Sequence, residues 1–351
     1  MVELERELFF NLLNNFGVLG SEEDVLNVAK KELEKYTNKV YRDKSNNLIA
    51  EFFNPKATKH VVLDAHLDQV SLIVTHICKG GFIKFSSCGG IDSRILPGKL
   101  LKILGAKEIF GIVSNVPPHL NAEKDDYLKK EDLVIDTGLS EEKVKGLVPI
   151  GSLIVFSEKA QELLNNRIVS KAIDNRAGVM TLLHCAKMFS EKDFKDLKVS
   201  ILLSTGEEIN ALGAKTGSFI LEPDIAIVVD TSFAKQPKVD EINKGELGKG
   251  PMIGISPCLC KEIYNELISV AKKEKIPYQF EVMPQKTGTN ADHILSSKGG
   301  VKIGLLSVPI RYMHTMSEVL DLKDIEHTSN LLVHFIERMF DQDALSVKGS
   351  S

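Results

Sequence analysis

The chain has 351 residues, of which 43% are hydrophobic and 26% are charged, and its formal net charge is −4. This is the composition of a globular protein with a sizeable core, and the lack of a clustered Lys/Arg block argues against a nucleic-acid partner. No apolar run of about 20 residues predicts a membrane span. The N-terminal sequence lacks the basic and apolar segments of a signal peptide, and an odd number of cysteines, five, indicates reduced thiols. We therefore expect a cytoplasmic protein.

Two kinds of pattern alternate along the chain. Leucines at helical spacing open it, the run at 48–53 predicts a strand, and the apolar run at 60–65 predicts a strand buried on both faces. The same α/β alternation returns later, with helices predicted at 176–189, 216–221, 257–273 and 324–340 and strands at 199–203, 225–229 and 301–308. We therefore predict an α/β fold with a mixed, mostly parallel sheet between helices, built from residues 1–70 and 161–345.

Residues 71–160 have a different pattern. Short apolar runs are separated by Gly and Pro clusters, which predicts a small β-rich domain, barrel-like or PDZ-like, inserted into the α/β domain. Within it, residues 115–145 are polar and contain Pro117 and Pro118, so we expect a surface loop or a partly disordered segment there.

Histidine and acidic residues follow three of the predicted strands at the point where each strand ends. His66 and Asp68 follow the run at 60–65, Glu207 and Glu208 follow the run at 199–203, and Asp230 ends the run that starts at Ile225. Ligands of an open parallel sheet bind beyond the carboxyl ends of its strands. Any one of these residues alone would be a solvated strand end, but together they predict a site at this edge.

Two further residues belong to the candidate set. Asp174 precedes a predicted helix and His314 follows a predicted strand, so each alone would be a helix cap or a structural histidine. Imidazole and carboxylate ligands suit zinc, and also manganese or cobalt. In a hydrolase with two metal ions, a carboxylate bridges ions about 3.5–4 Å apart. In the Glu207–Glu208 pair, one carboxylate would bind a metal ion and the other would serve as a general base.

The motifs occur in an order and spacing that is characteristic of one family. They are Ala65-His-Leu-Asp68, Lys171-Ala-Ile-Asp-Asn-Arg-Ala-Gly178, Thr205-Gly-Glu-Glu208, Asp230, Gly248-Lys-Gly-Pro251, Gly288-Thr-Asn-Ala291 and Arg311-Tyr-Met-His314 with Glu318. Over nearly its whole length the sequence resembles the metallo-aminopeptidases of family forty-two, which comprise glutamyl, deblocking and tetrahedral aminopeptidases and relatives that have been labelled cellulases or endoglucanases.

The resemblance implies a zinc-peptidase-like fold and a role for each candidate residue. His66 and Asp230 would bind one metal ion, Glu208 and His314 a second, and Asp174 both, while Glu207 would be the general base and Asp68 would orient His66. The ions would be zinc or cobalt, with manganese as an alternative. A metal-bound hydroxide would attack the first carbonyl of a short peptide, and the chain would form a homo-oligomer, up to a dodecamer. Ala65, Gln69, Gly206 and Asn290 differ from the residues usual at these positions, so the preferred N-terminal residue does not follow from the resemblance.

Three other functions are compatible with parts of this pattern. A deacylase or carboxypeptidase of the same clan would use similar ligands, but it carries its insertion after the paired acids, whereas here about ninety residues separate Asp68 from Asp174. An endoglucanase would need two carboxylates and no metal, which leaves His66, Asp174 and His314 unexplained. A non-catalytic binding protein of the same fold would be expected to have lost a ligand or the base, and all of these positions are filled.

Overall fold

The computed structural model of the chain describes residues 3–114, 130–238 and 244–348. The helices in these ranges are α1 Glu3–Asn14, α2 Glu23–Leu33, α3 Glu141–Leu147, α4 Ile173–Ser190, α5 Glu207–Asn210, α6 Leu212–Leu221, α7 Lys261–Lys273, α8 Ala291–Ile294 and α9 Leu322–Lys348. The strands are β1 Val40–Arg42, β2 Leu48–Phe53, β3 Lys59–His66, β4 Ser71–Ile77, β5 Ile83–Cys88, β6 Leu100–Leu104, β7 Glu108–Ser114, β8 Val134–Asp136, β9 Leu153–Phe156, β10 Gln161–Leu163, β11 Arg167–Ser170, β12 Leu197–Ser204, β13 Ile225–Phe233, β14 Met252–Ile255, β15 Gln279–Val282, β16 Lys302–Ile310 and β17 Glu318–Asp321.

An eight-stranded sheet organises most of the chain, in the order β1-β2-β12-β3-β13-β16-β14-β15. Four of its seven strand pairings are parallel, and these include the central β12-β3-β13-β16 block. The central strands are apolar on both faces because helices cover both. Val61, Leu63 and Ala65 of β3 pack in a core with α1, α2, α4, α7 and α9, whereas Val62 packs in a second core with α6 and α8. The predicted fold class is confirmed.

Six short strands close into a barrel in the order β4-β5-β8-β7-β6-β9. The barrel has its own hydrophobic core, which includes Leu72, Val74, Ile83, Leu101 and Ile154. Its strands run from Ser71 to Phe156, within the range predicted for the insertion. That residues 71–160 form a separate domain, with 1–70 and 161–345 as the other, stays a prediction. A three-stranded sheet of β10, β11 and β17 lies outside both sheets.

The prediction for residues 115–145 is wrong in the second half of that range. Residues 115–129 lie outside the described part of the chain, but β8 and α3 lie between Val134 and Leu147. Both elements are short and α3 is mostly polar, and the apolar residues Ile135 and Val144 are buried in the barrel core. Tertiary packing therefore creates elements that local hydrophobic periodicity does not indicate. Within the described ranges, no helix combines the length and the apolar character needed to cross a membrane.

Candidate metal centre

Adjacent strands deliver most of the candidate residues to one edge of the main sheet. His66 is the last residue of β3, and Asp230 lies in β13, which runs parallel to β3. On the other side of β3, the parallel strand β12 ends at Ser204, opposite His66, and α5 then begins at Glu207. Asp174 lies at the start of α4, and His314 lies between β16 and β17. The structure thus brings all seven predicted residues, including Asp68 and Glu208, to the same place.

Two groups of ligand atoms meet at Asp174. In the first group, Nε2 of His66 lies 3.4 Å from Oδ1 of Asp174 and 3.6 Å from Oδ1 of Asp230. In the second, Nε2 of His314 lies 3.3 Å from Oδ2 of Asp174 and 3.4 Å from Oε2 of Glu208. Within each group the ligand atoms all lie within 4.8 Å of one another. Asp174 therefore turns one carboxylate oxygen toward each group.

These separations fit ligands of a divalent cation. Two ligand atoms bound tetrahedrally at about 2.0–2.2 Å from one ion are about 3.3–3.6 Å apart, which is the range found between the histidines and their carboxylates. Direct hydrogen bonds would be shorter, at about 2.7–3.2 Å. Oδ1 of Asp174 is buried and has no hydrogen-bond partner among the residues that the structure describes. The donor atoms present, imidazole nitrogen and carboxylate oxygen, suit zinc, cobalt or manganese.

Glu207 lies beside the two groups without belonging to either. Its Oε2 is 4.0 Å from Nε2 of His66, farther than the carboxylates of Asp174 and Asp230. Burial, together with the negative charges of Asp230 and Asp174, raises the pKa of Glu207 to about 8. Its carboxylate lies close to the ligand atoms without being one of them, which is the position that a general base beside a metal site would occupy.

Asp68 links β3 to α5. Its buried carboxylate accepts hydrogen bonds from the backbone amides of Glu207 (3.0 Å) and Glu208 (3.1 Å). Nδ1 of His66 lies 3.2 Å from the backbone oxygen of Asp68 and 3.6 Å from its carboxylate. The Asp68 side chain therefore fixes the first residues of α5. The backbone carbonyl of Asp68 lies nearer to the His66 ring than its carboxylate does.

Glu318 is a positioning residue for which the sequence analysis predicted no role. Its buried carboxylate accepts hydrogen bonds from the backbone amides of Asp174 (3.1 Å) and His314 (2.7 Å). One side chain thus holds the backbone of two candidate ligands from distant parts of the chain. The only sequence signal was an acid four residues after His314, and it does not say where that acid points.

The two groups line a cavity of about 310 Å³. Its wall also includes Ser232, Phe233, Glu281, Ser307 and Met313. The loop after β5 reaches the same place, because a Cβ atom built on Gly90 would lie 3.0 Å from Nδ1 of His314, and one on Gly89 would lie 3.4 Å from the backbone oxygen of Glu208. The loop that follows β5 of the barrel therefore passes close to two candidate ligands, with glycine at both positions.

Comparison with known proteins identifies relatives along almost the full chain. Residues 46–331 match the family model described as M42 glutamyl aminopeptidase. A lysyl aminopeptidase of Pyrococcus furiosus is 31% identical over 96% of this chain and 98% of its own. The TET aminopeptidase of the marine sediment archaeon Thaumarchaeota archaeon SCGC AB-539-E09 superposes with a TM-score of 0.90 at 27% identity, covering 96% of both chains. The TET1 peptidase of Pyrococcus horikoshii, which can assemble into a tetrahedron or a large octahedral shell, superposes with a TM-score of 0.82 at 27% identity, covering 94% of this chain and 98% of its own.

Proposed function

Because the chain belongs to the M42 glutamyl aminopeptidase family and is therefore a peptidase, we propose that it uses two divalent metal ions to release N-terminal residues from short peptides. The observation that carries the proposal is the position of Asp174, which presents one oxygen to each of two groups of ligand atoms. A shared carboxylate of this kind is what a hydrolase with two metal ions requires.

Each side chain of the centre has a distinct task in this proposal. His66 and Asp230 would hold one ion and Glu208 and His314 the other, with Asp174 available to both groups. When bound, the ions would activate water and polarise the peptide carbonyl. Oε2 of Glu207 takes a proton from the attacking water and passes it to the nitrogen of the leaving peptide.

Two carboxylates position these groups. Asp68 holds the backbone of Glu207 and Glu208, so the base and a neighbouring ligand keep their relative placement. Glu318 does the same for Asp174 and His314. Outer contacts of this kind keep metal ligands oriented.

The metal ions and the assembly state are also part of the proposal. Zinc or cobalt is favoured by the mixed imidazole and carboxylate set, with manganese as an alternative. We propose a homo-oligomer, with a dodecamer as the state to test, by analogy with the shell-forming TET1 peptidase. Phe219 and Ile220 of α6 are 56% and 53% exposed, and apolar surface of this kind is typical of contact regions. Sedimentation equilibrium measures the assembly directly. The cytoplasmic location stays a prediction, supported by five free cysteines.

Activity on a defined panel tests the reaction. Aminoacyl-p-nitroanilides, the same compounds with an acetylated amine, C-terminally extended peptides and a soluble glucan are each incubated with protein loaded with zinc or cobalt. We expect release only from substrates with a free α-amine, loss of activity with a chelator and recovery when metal is returned. Cleavage of the acetylated compounds or from the C-terminus would favour the deacylase or carboxypeptidase alternative, and chelator-insensitive cleavage of the glucan would favour the endoglucanase.

A further inference from the structure

Glu281 is an acidic residue of the cavity that the proposed reaction does not use. It lies in β15, at the edge of the main sheet, and lines the same cavity as His66 and Asp230. It belongs to neither group of ligand atoms. Its carboxylate accepts hydrogen bonds from the hydroxyls of Ser232 and, at 2.6 Å, Ser307. The side chain is therefore held in one orientation.

The two serines connect Glu281 to the candidate metal centre. Ser307 of β16 is in register with Asp230 of β13, and Ser232 follows Asp230 by two residues, on the same face of the strand. Glu281 thus lies one layer of side chains away from a candidate metal ligand. Glu281 lines the same cavity as the candidate ligands, so a peptide bound at the centre shares that cavity with this carboxylate.

Among the residues that the structure describes, no Lys, Arg or His forms a direct ion pair with Glu281. Lys244 lies over the ring of Phe233, 4.7 Å from the centroid, and its positive charge acts on Glu281 only from a longer distance. Burial, to which the charge of Asp230 adds, raises the pKa of Glu281. An unpaired carboxylate in a cavity is costly in free energy, and a cationic group from a ligand would offset that cost.

The rest of the wall suits a long aliphatic chain that ends in a charge. Phe233 and Met313 offer apolar surface, while Thr287 and Thr289 offer methyl and hydroxyl groups. Lysine and arginine bury their methylene stems against such surfaces and keep the cationic head on a polar partner. Lysine needs only a point contact with the carboxylate, whereas arginine binds best with both oxygens, each of which already accepts from a serine.

From this arrangement, and resting on the aminopeptidase function proposed above, we propose that Glu281 makes the cavity select peptides whose first residue is basic, with lysine favoured over arginine. An acidic first residue is excluded by like-charge repulsion. The competing role is recognition of the free α-ammonium group, which every substrate shares. The two roles predict different patterns across substrates, because only the first depends on the side chain.

The test compares lysine with norleucine, which has the same length of aliphatic chain and lacks the ammonium group. Hydrolysis of the lysyl, norleucyl and glutamyl p-nitroanilides is measured for wild type and Glu281→Gln. The matched control is Glu274→Gln, a substitution at an exposed glutamate just after α7. In Glu281→Gln we expect kcat/KM for the lysyl substrate to fall roughly 10- to 100-fold, the range of a lost charge-assisted contact. The norleucyl value should change less than about threefold by the same reasoning, and Glu281→Asp should restore part of the lysine preference.

Binding of the free amino acids separates this inference from the proposed reaction. L-Lysine and L-norleucine have no bond to cleave, so calorimetry on metal-loaded protein reports the pocket whether or not the chain is active. We expect wild type and Glu274→Gln to bind lysine more tightly than norleucine, and Glu281→Gln to bind both alike. A preference for lysine without any peptidase activity would support the pocket and refute the reaction. An equal loss for both ligands in Glu281→Gln would assign Glu281 to the α-ammonium group, and a wild type without lysine preference would also overturn the proposal.

Discussion

Replacing Asp174 with asparagine should affect both groups of ligand atoms at once. Asparagine keeps the shape of the side chain, but it loses the charge and replaces one carboxylate oxygen with an NH₂ group that cannot bind a metal ion. Oδ1 of Asp174 faces His66 at 3.4 Å and Oδ2 faces His314 at 3.3 Å, so no orientation of the amide serves both groups. The loss of affinity should exceed the roughly 10- to 100-fold that follows from changing an outer partner of a metal ligand.

Variants of ligands that belong to only one group provide the comparison for Asp174→Asn. Asp230 belongs only to the first group and His314 only to the second. Asp230→Asn and His314→Ala should therefore each lower the content by about one of the two proposed ions, and Asp174→Asn should lower it most.

Metal content is measured by elemental analysis after equilibrium dialysis against buffered zinc. The matched control is Asp193→Asn, an exposed aspartate after α4 that should keep the wild-type content, and thermal unfolding checks that each variant is folded. Full occupancy in Asp174→Asn would refute the shared-ligand geometry. So would an equal loss in all three variants, because that would mean one site instead of two groups with a common member.

Three further predictions concern the base, a positioning residue and pH. Glu207→Gln should keep its metal content while kcat falls roughly 10²- to 10⁴-fold, since only proton transfer is removed. Steady-state kinetics measures kcat, and elemental analysis measures the metal content. Glu318→Gln should lose about 1.5–3 kcal/mol of stability, because the amide can accept from only one of the two backbone N–H groups that the carboxylate now serves; denaturant unfolding measures it. His60, whose Nε2 lies 2.8 Å from the Ser200 hydroxyl, has its pKa lowered to about 4 by burial. Since its folded pKa is below its unfolded one, its contribution to stability is complete above about pH 6.5 and is lost as the pH falls toward 4. Between pH 7 and 5, His60→Asn should lose about 1–2 kcal/mol less stability than wild type, after allowance for the partial exposure of the ring.

Each of these three has an outcome that contradicts it. An unchanged rate in Glu207→Gln would remove that residue from proton transfer. Wild-type stability in Glu318→Gln would show that its two hydrogen bonds do not hold the backbone. Parallel pH profiles for wild type and His60→Asn would mean that the histidine is as easily protonated in the folded chain as in the unfolded one.

The structural features that depend on local sequence pattern were predicted best from the sequence. The strand at 48–53 has the predicted bounds, because an apolar run between polar turns is sufficient to specify a strand. The convergence of His66, Glu208 and Asp230 followed from strand order, since parallel neighbours end at the same edge. The geometry of Asp174 did not follow, because the direction of each carboxylate oxygen depends on packing between residues far apart in sequence.

Residues whose role depends on backbone contacts or edge strands could not be predicted. Glu318 acts through two backbone amides, and no sequence pattern encodes that contact. Glu281 lies in β15, a four-residue edge strand with alternating partial burial that was not predicted as a strand at all. Its place in the cavity depends on hydrogen bonds to serines of β13 and β16, which only the assembled sheet brings together.

The close approach of Gly89 and Gly90 to the candidate metal centre limits how freely the barrel can be exchanged. Gly90 leaves room for the ring of His314, so even one methyl group there would press on a candidate ligand. A chimaera that takes its barrel from a distant relative must therefore preserve this pair of glycines and the path of the loop that carries them.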